Sequence, residues 1–319
     1  MATETITQTP TSFAVAVEAK KSRRDVHTTF NYYKDPCDGT PPMPVYVGGN
    51  TVTNERPIAP TEVVVRDITG EEDLYKLDSH GFELVQHESS GFAAKEGDEE
   101  EGKKGKCLFD NEDWVKKVYY RECEEVYKKA TGAHTIYIFS HLLRRGPTHW
   151  HALGSGNASK KGPLHRVHID QSTLGAEIIL RKQFPSTYSS ILTSGRRWSI
   201  INLWRPLRTI YKDPLALGSS SSFPEQDLVE ASVIYTQSKE EYPLDRNLTW
   251  TVRAGEGHEW FYRNEMGRRE VWLIKCFDSE GREGVARRAP HCAFVDRERE
   301  GEGWGDRESV EVRAVCVWD

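Results

Sequence analysis

About eight short runs of β-branched and aromatic residues, each bounded by turn formers, predict a mainly β chain: a double-stranded β-helix core of jelly-roll, cupin-like type with α-helices on its flanks. Two further observations agree. A strongly amphipathic helix precedes most of these runs, as expected of a helix laid on the outside of a sheet, and no internal repeat or Pro/Ser-rich linker divides the 319 residues. A chain of that length buries a substantial core. Residues 1–26 are Thr-, Glu- and Lys-rich without a period and are expected to form a flexible arm, leaving 27–319 as one domain.

The composition is that of an ordinary soluble globular protein, with 37% hydrophobic residues, 29% charged residues and a net charge of -6. Mild acidity gives no basic field for nucleic acid. No apolar run is long enough to cross a membrane, and Met1 to Ala19 lacks the apolar stretch of a secretory signal. Cys37, Cys107, Cys123, Cys276, Cys292 and Cys316 contain no Cys-x-x-Cys pair, so neither a zinc knuckle nor a disulfide scaffold is indicated. A cytoplasmic protein with a small-molecule substrate, and with no nucleic-acid or membrane partner, is the expectation.

Taken in order, residues 30–50 carry tyrosines and four prolines and suggest an extended strap over the core, a possible cover for the mouth of a site. Glu62–Ile68 and Phe82–Gln86 read as strands, with His80 and His87 as surface residues at the ends of the second. The charge run between Ala94 and Cys107 has no apolar face and reads as a solvated loop. Asp110–Ala130 reads as a helix. Val115, Tyr119, Cys123, Val126 and Ala130 recur at helical spacing, an Asp/Asn pair stands at its start and Gly132 lies beyond its end.

His134–His141 alternates as a strand and leads into a Gly-rich, basic loop to Gly162. That loop holds His149-Trp150-His151, a rival metal pair read as a flexible element near a site entrance, with Trp150 a substrate contact. Leu164–Asp170 is a strand, Gln171–Ser194 is helical with an interruption at Pro185, and Trp198–Trp204 is a strand. In that strand Asn202 shares a face with Ile200 and Trp204, either as a satisfied core amide or as a group facing the cavity. Arg205 stands at its end, suited to pair with a carboxylate. Val229–Thr236, Leu248–Val252, Glu259–Tyr262 and Glu270–Phe277 continue the strand series, and the chain ends in a strand reaching Val317.

The chemistry is concentrated in a few of these elements. In a strand over Leu164–Asp170, side chains alternate faces, so His168 and Asp170 project together about 7 Å apart along the strand. A second histidine follows in Pro290-His291-Cys292-Ala293-Phe294, where Cys292, as a strand neighbour, should point away from the site. Two histidines and one carboxylate make up the facial triad that binds non-haem Fe(II) and leaves positions open. In the last strand Arg307, Ser309, Glu311 and Arg313 share one face and Val310, Val312 and Ala314 the other. Arg307-x-Ser309 presents a guanidinium fork beside a hydroxyl, which matches a carboxylate.

Val167-His168-Ile169-Asp170-Gln171-Ser172, Asn202-Leu203-Trp204-Arg205-Pro206-Leu207, Pro290-His291-Cys292-Ala293-Phe294 and Arg307-Glu308-Ser309-Val310-Glu311-Val312-Arg313 together carry a resemblance. The chain resembles the mainly fungal Fe(II)/2-oxoglutarate-dependent oxygenases of secondary metabolism grouped with gibberellin desaturase, the aspergillic-acid hydroxylase and a cephamycin methoxylation protein. The resemblance implies Fe(II) held by His168, Asp170 and His291, with 2-oxoglutarate and O2 as co-substrates. Arg307 with Ser309, or else Arg313, would hold the far carboxylate of 2-oxoglutarate, and Asn202 would contact 2-oxoglutarate or substrate. It also implies attack on an unactivated C–H bond, ending in hydroxylation, desaturation or oxidative ring closure. Arg144, Arg145 and Arg205 near the entrance suit a substrate carboxylate, hence a small amino acid or other carboxylic acid. The alternatives are a cupin-like metal enzyme that does not use 2-oxoglutarate and a barrel that only binds.

Overall fold

Fifteen strands form among the residues described by the computed structural model, which are 23–48, 51–53, 56–92, 107–148, 162–241, 245–300 and 303–319. The first five are β1 (Val26–Tyr33), β2 (Val45–Gly48), β3 (Thr51–Thr53), β4 (Ile58–Asp67) and β5 (Phe82–Gln86). The middle of the chain contributes β6 (Thr135–Arg145), β7 (His168–Ile169), β8 (Trp198–Pro206), β9 (Leu215–Gly218) and β10 (Leu228–Tyr235). The last five are β11 (Arg246–Val252), β12 (Trp260–Tyr262), β13 (Glu270–Asp278), β14 (His291–Ala293) and β15 (Glu308–Val317).

They pair into two sheets. One runs β1-β4-β12-β9-β14-β7-β11-β10-β2-β3 and the other β5-β13-β8-β15-β6. From β6 to β9 successive strands switch sheets, and β12 to β15 switch again. Four strands of each sheet, β7-β14-β9-β12 facing β6-β15-β8-β13, therefore make the double-stranded β-helix core. The β10–β11 hairpin and the N-terminal strands extend the larger sheet outward.

After a short α1 (Leu77–His80), the expected helix forms in three consecutive parts, α2 (Glu112–Trp114), a π turn at Val115–Tyr119 and α3 (Tyr120–Thr131). Asn111 caps it by accepting a hydrogen bond from Trp114 N, and Gly132 closes it at φ 69. Its apolar face, with Val115, Tyr119, Cys123, Val126 and Tyr127, packs on Ile201, Leu203, Val312 and Ala314 of the five-stranded sheet. Burying a large side chain there stabilises the fold by about 1.5–3 kcal/mol. The Tyr127 hydroxyl, fully buried, lies 2.9 Å from Ile201 O and 2.8 Å from Val312 O, tying the helix to β8 and β15 at once.

The helical pattern of residues 171–194 resolves as α4 (Thr173–Gln183) and α5 (Tyr188–Thr193), broken around Pro185 as expected. Helix α4 sits against β11 so closely that a Cβ on Gly175 would lie 2.0 Å from Leu248 O.

The interior between the sheets is apolar at both ends. Trp198, Ile200, Cys276, Val315, Trp260, Cys292 and Phe294 belong to one cluster, and Trp204, Trp272, Ile274, Leu217 and Phe261 to another. Along β8 the inward residues read Ile200, Asn202, Trp204, so Asn202 marks a polar band between two hydrophobic floors.

Several expectations need correction. The 164–170 segment is paired as a strand only at His168–Ile169, with a lone bridge at Arg166. The strap over residues 30–50 is extended, but it contributes two paired strands, β1 on β4 and β2 parallel to β10. Strand β9 had no counterpart in the sequence reading. Residues 1–22 of the expected arm, the charge run at 93–106 and His149-Trp150-His151 lie outside the described residues.

Candidate metal centre

His168 stands on β7, Asp170 just after it and His291 on the adjacent β14, where His291 is directly opposite His168 in the antiparallel register. One ligand atom from each of the three lies within 4.8 Å of the others. Among the described residues this is the one such His/Cys/Asp/Glu group found. The two imidazoles have centroids 4.5 Å apart at 58°, and Asp170 Oδ1 lies 3.4 Å from His168 Nε2.

Both histidines are held by the same device. His168 Nδ1 is 2.8 Å from Arg166 O and His291 Nδ1 is 3.1 Å from Ala289 O, in each case the carbonyl two residues upstream. A carbonyl only accepts, so each Nδ1 carries the proton and each Nε2 presents its lone pair inward. Burial and the neighbouring His168 push His291 down to about 4, which keeps it neutral and able to donate to a metal at neutral pH. Burial alone would raise the Asp170 carboxyl, but Arg313, His168 and His291 outweigh it and hold it well below the usual carboxylate range. Two imidazoles that present Nε2 inward, with one carboxylate, are the donor set that suits Fe(II).

The inward face of β15 runs on from this cluster. Arg313 Nε and Nη2 lie 3.2 and 3.1 Å from Asp170 Oδ2, and Asn202 Nδ2 donates to the same oxygen at 2.8 Å. Arg313 Nη2 also meets Glu311 Oε1 at 2.5 Å. Asn202 is thus not a satisfied core amide: its NH2 is engaged on Asp170, while its Oδ1 is buried with no hydrogen-bond partner among the described residues. Further along, Arg307 and Ser309 are 4% and 1% exposed. Arg307 Nη1 donates to Asp213 O at 2.8 Å, and its guanidinium lies 5.5 Å from the Trp204 ring centre. Arg307 Nε and Ser309 Oγ are buried with no hydrogen-bond partner among the described residues. Two orphaned buried donors side by side are costly unless an acceptor joins them, and a carboxylate has the matching geometry.

Of the three basic residues assigned to the entrance, only Arg144 faces this chamber. On β6 it is paired with Ser309 across the sheet, donates to Gly162 O, and lies within range of the charges of Glu311, Arg313 and Asp170. Arg145 points the other way and pairs with Asp110 and Glu308. Arg205 is 0% exposed on the helix side of β8, bonded to Tyr119 Oη, His87 O and Arg268 O. It pairs with no carboxylate among the described residues, and His87, expected at the surface, is a half-buried part of that node. The cause is strand parity: residue 205 takes the outward face that Ile201 and Leu203 share.

Sequence reasoning missed Tyr235, at the end of β10 beside β2, whose phenol feels the charges of Arg313 and Asp170. No local signal marks it. Glu311 was legible as a member of the inward face but not as the partner of Arg313. Cys292 behaves as expected, 1% exposed in the apolar core.

Comparison with known proteins extends this reading. A family profile described as an oxidoreductase/YMDC permease-like domain matches residues 30–317. Curated relatives include the hydroxylase/desaturase efuI of Hormonema carpetanum, 32% identical over 92% of this chain and 95% of that protein. Another is the alpha-ketoglutarate-dependent dioxygenase phiK of Fungal sp., 32% identical over 76% of this chain and 80% of its own. A solved structure, the iron and alpha-ketoglutarate-dependent endoperoxidase NvfI, covers 93% of this chain and 99% of its own with a TM-score of 0.72 at 20% identity, a likeness of fold. With its double-stranded β-helix, its inward His/Asp/His cluster and a family match over nearly its whole length, the chain belongs to the oxidoreductase family of these fungal hydroxylase/desaturases and alpha-ketoglutarate-dependent dioxygenases.

Proposed function

We propose that the protein is an Fe(II)/2-oxoglutarate-dependent oxygenase acting on an unactivated C–H bond of a small secondary-metabolite precursor. His168 Nε2, Asp170 Oδ1 and His291 Nε2 hold the iron, and Arg307 with Ser309 takes the far carboxylate of 2-oxoglutarate. Arg144, opposite Ser309, adds a second positive charge at that end. The observation that carries this reading is the pair of buried, unsatisfied donors, Arg307 Nε and Ser309 Oγ, on the strand that also reaches the His/Asp/His cluster. They fit 2-oxoglutarate as the triad fits Fe(II).

When bound, Fe(II) with 2-oxoglutarate and O2 supplies the oxidising power needed to take hydrogen from such a carbon. The chain's own work is positional. Arg307 and Ser309 fix one end of the co-substrate, the hydrogen-bonded histidines keep their Nε2 atoms aimed inward, and the apolar floors on either side of Asn202 limit water. The relatives' names include both hydroxylase and desaturase, and either outcome suits this arrangement.

The expected preference for a carboxylic-acid substrate loses its basis, since Arg145 and Arg205 are committed elsewhere and Arg144 serves the co-substrate end. A single domain over 27–319 is consistent with the extent of the family match. No helix among the described residues is long and apolar enough to cross a membrane. All six cysteines are free, which suits a reducing cytoplasmic setting.

Anaerobic titration of Fe(II)-loaded protein with 2-oxoglutarate tests the reading. A weak visible charge-transfer band should grow in and be absent in His168→Ala. Iron binding without the band would refute the co-substrate assignment, and well-folded protein that binds no iron would refute the metal assignment.

A further inference from the structure

The two oxygens of Asp170 are treated differently by the protein. Oδ2 is approached by three donor atoms, Asn202 Nδ2 at 2.8 Å and Arg313 Nε and Nη2 at 3.2 and 3.1 Å. Oδ1 is the oxygen turned to His168 Nε2, at 3.4 Å. The donors come from facing residues of neighbouring strands, since Arg313 and Asn202 are paired in the β15–β8 register. The Asp170 main chain is fixed as well, because Asn247 Nδ2 on β11 donates to its carbonyl at 3.3 Å. Glu311 Oε1 lies 2.5 Å from Arg313 Nη2, the same nitrogen that meets Asp170, so the two carboxylates share one edge of the guanidinium. The set Asp170, Arg313 and Glu311 carries one net negative charge, so the arginine orients the carboxylate without leaving the cluster cationic.

We propose that Arg313 and Asn202 are positioning residues that reserve Asp170 Oδ2, so that Asp170 meets the metal through Oδ1 alone. The proposal rests on the Fe(II) reading above and reassigns both residues, which the sequence had placed on 2-oxoglutarate. Carboxylates bind cations through one oxygen or two, and the second mode uses an extra coordination position. With Oδ2 reserved, the protein supplies one atom from each of three residues. A bound Fe(II) held by those three atoms would keep open positions for its co-substrates. Arg307, whose Nε has no hydrogen-bond partner among the described residues, is then the arginine left to serve the co-substrate.

The test compares wild type with Arg313→Met, Arg313→Lys and Asn202→Ala, under anaerobic conditions. It measures Co(II) affinity by chelator competition, the Co(II) visible spectrum, 2-oxoglutarate affinity at saturating Co(II), and the melting temperature of metal-free protein. Arg313→Met should lose roughly 10–100-fold in Co(II) affinity, the range found when groups that orient a metal ligand are removed. Its Co(II) spectrum should change, while 2-oxoglutarate affinity stays within about threefold, under 1 kcal/mol. Arg313→Lys keeps the charge but not the fork and should recover part of the loss. Asn202→Ala, which removes a donor without altering charge, should shift the spectrum in the same direction, and it decides the matter should Arg313→Met fail to fold. Unchanged Co(II) affinity with a tenfold or greater loss of 2-oxoglutarate affinity would overturn the proposal and make Arg313 the clamp. Unchanged values for both ligands would overturn it too. Wild-type protein that binds no Co(II), or His168→Ala that binds it as tightly, would instead sink the triad reading on which the proposal stands.

Discussion

Replacing Arg307 by methionine separates co-substrate binding from stability, because the two respond in opposite directions. In the folded protein Arg307 is 4% exposed, and burial together with the neighbouring Arg144 charge pulls its guanidinium down to about 10, well below its ordinary value. A depression of that size corresponds to roughly 3 kcal/mol charged against the folded state at neutral pH, where the group is still cationic. Methionine removes that cost; it leaves Asp213 O without its donor, worth about 1–2 kcal/mol, and takes one positive charge from beside the Asp213 carboxylate. The melting temperature of Arg307→Met should therefore hold or rise. Binding of 2-oxoglutarate should collapse, since a buried carboxylate that loses its charged partner forfeits about 3–5 kcal/mol. That is a rise in Kd of roughly two to four powers of ten. Anaerobic calorimetric titration of iron-loaded variant and wild type measures it, with thermal melts alongside. A Kd within about threefold of wild type in a protein that still binds iron would refute the argument, because the orphaned Nε and Oγ would then have no ligand to serve.

Three further outcomes follow from the packing. Gly175→Ala puts a Cβ 2.0 Å from Leu248 O, a backbone atom that cannot swing aside, so α4 must lift from β11 at a cost of about 1–3 kcal/mol, read from the urea midpoint. A wild-type midpoint would show that the helix rides higher than described. Tyr127→Phe removes the hydroxyl shared by Ile201 O and Val312 O and should cost about 1–2 kcal/mol in the same assay, with 2-oxoglutarate affinity unchanged. Burial would raise the Asp78 carboxyl, but hydrogen bonds from Arg197 and Lys275 outweigh it and bring it to about 2 from 3.8. A depressed carboxyl stabilises the fold above its unfolded value, and the contribution is lost as pH falls from about 4 to 2. Asp78 is 54% exposed, so screening limits the effect to about 1 kcal/mol. Asp78→Asn should flatten the stability curve in that interval, and acid titration of both proteins followed by circular dichroism shows whether it does.

The site was legible wherever its chemistry follows strand parity. His168 with Asp170, and Ser309 with Glu311 and Arg313, fall on one face because side chains alternate, and the structure keeps those faces. The main helix was equally plain, since apolar spacing, an Asn cap and a terminal glycine all agreed. Partnership between strands was not legible. That Arg313 opposes Asn202, or that Arg144 opposes Ser309, depends on the β15 register with β8 and β6, which no local pattern encodes. Arg205 illustrates the reverse difficulty: one position along from Trp204 it faces the helix, and a guanidinium at a strand end looks the same in sequence whether it greets a ligand or a carbonyl. β9 is too short for periodicity to mark and is held by neighbours distant in the chain.

The carbonyl latches on the two histidines bear on how the protein exchanges its ion. Each latch closes over two residues of backbone as the chain enters a paired strand, so the orientation of the rings is set by the chain itself and not by ligation. In small zinc modules the ion builds its own site, and removing it dissolves the fold. Here the free energy of metal binding need not be spent on arranging the chain. A chelator should strip the ion without unfolding the barrel, and reloading should be limited by how fast the ion sheds water. Which divalent ion occupies the site in a cell would then be governed by supply and exchange, with the protein recovering activity once iron returns.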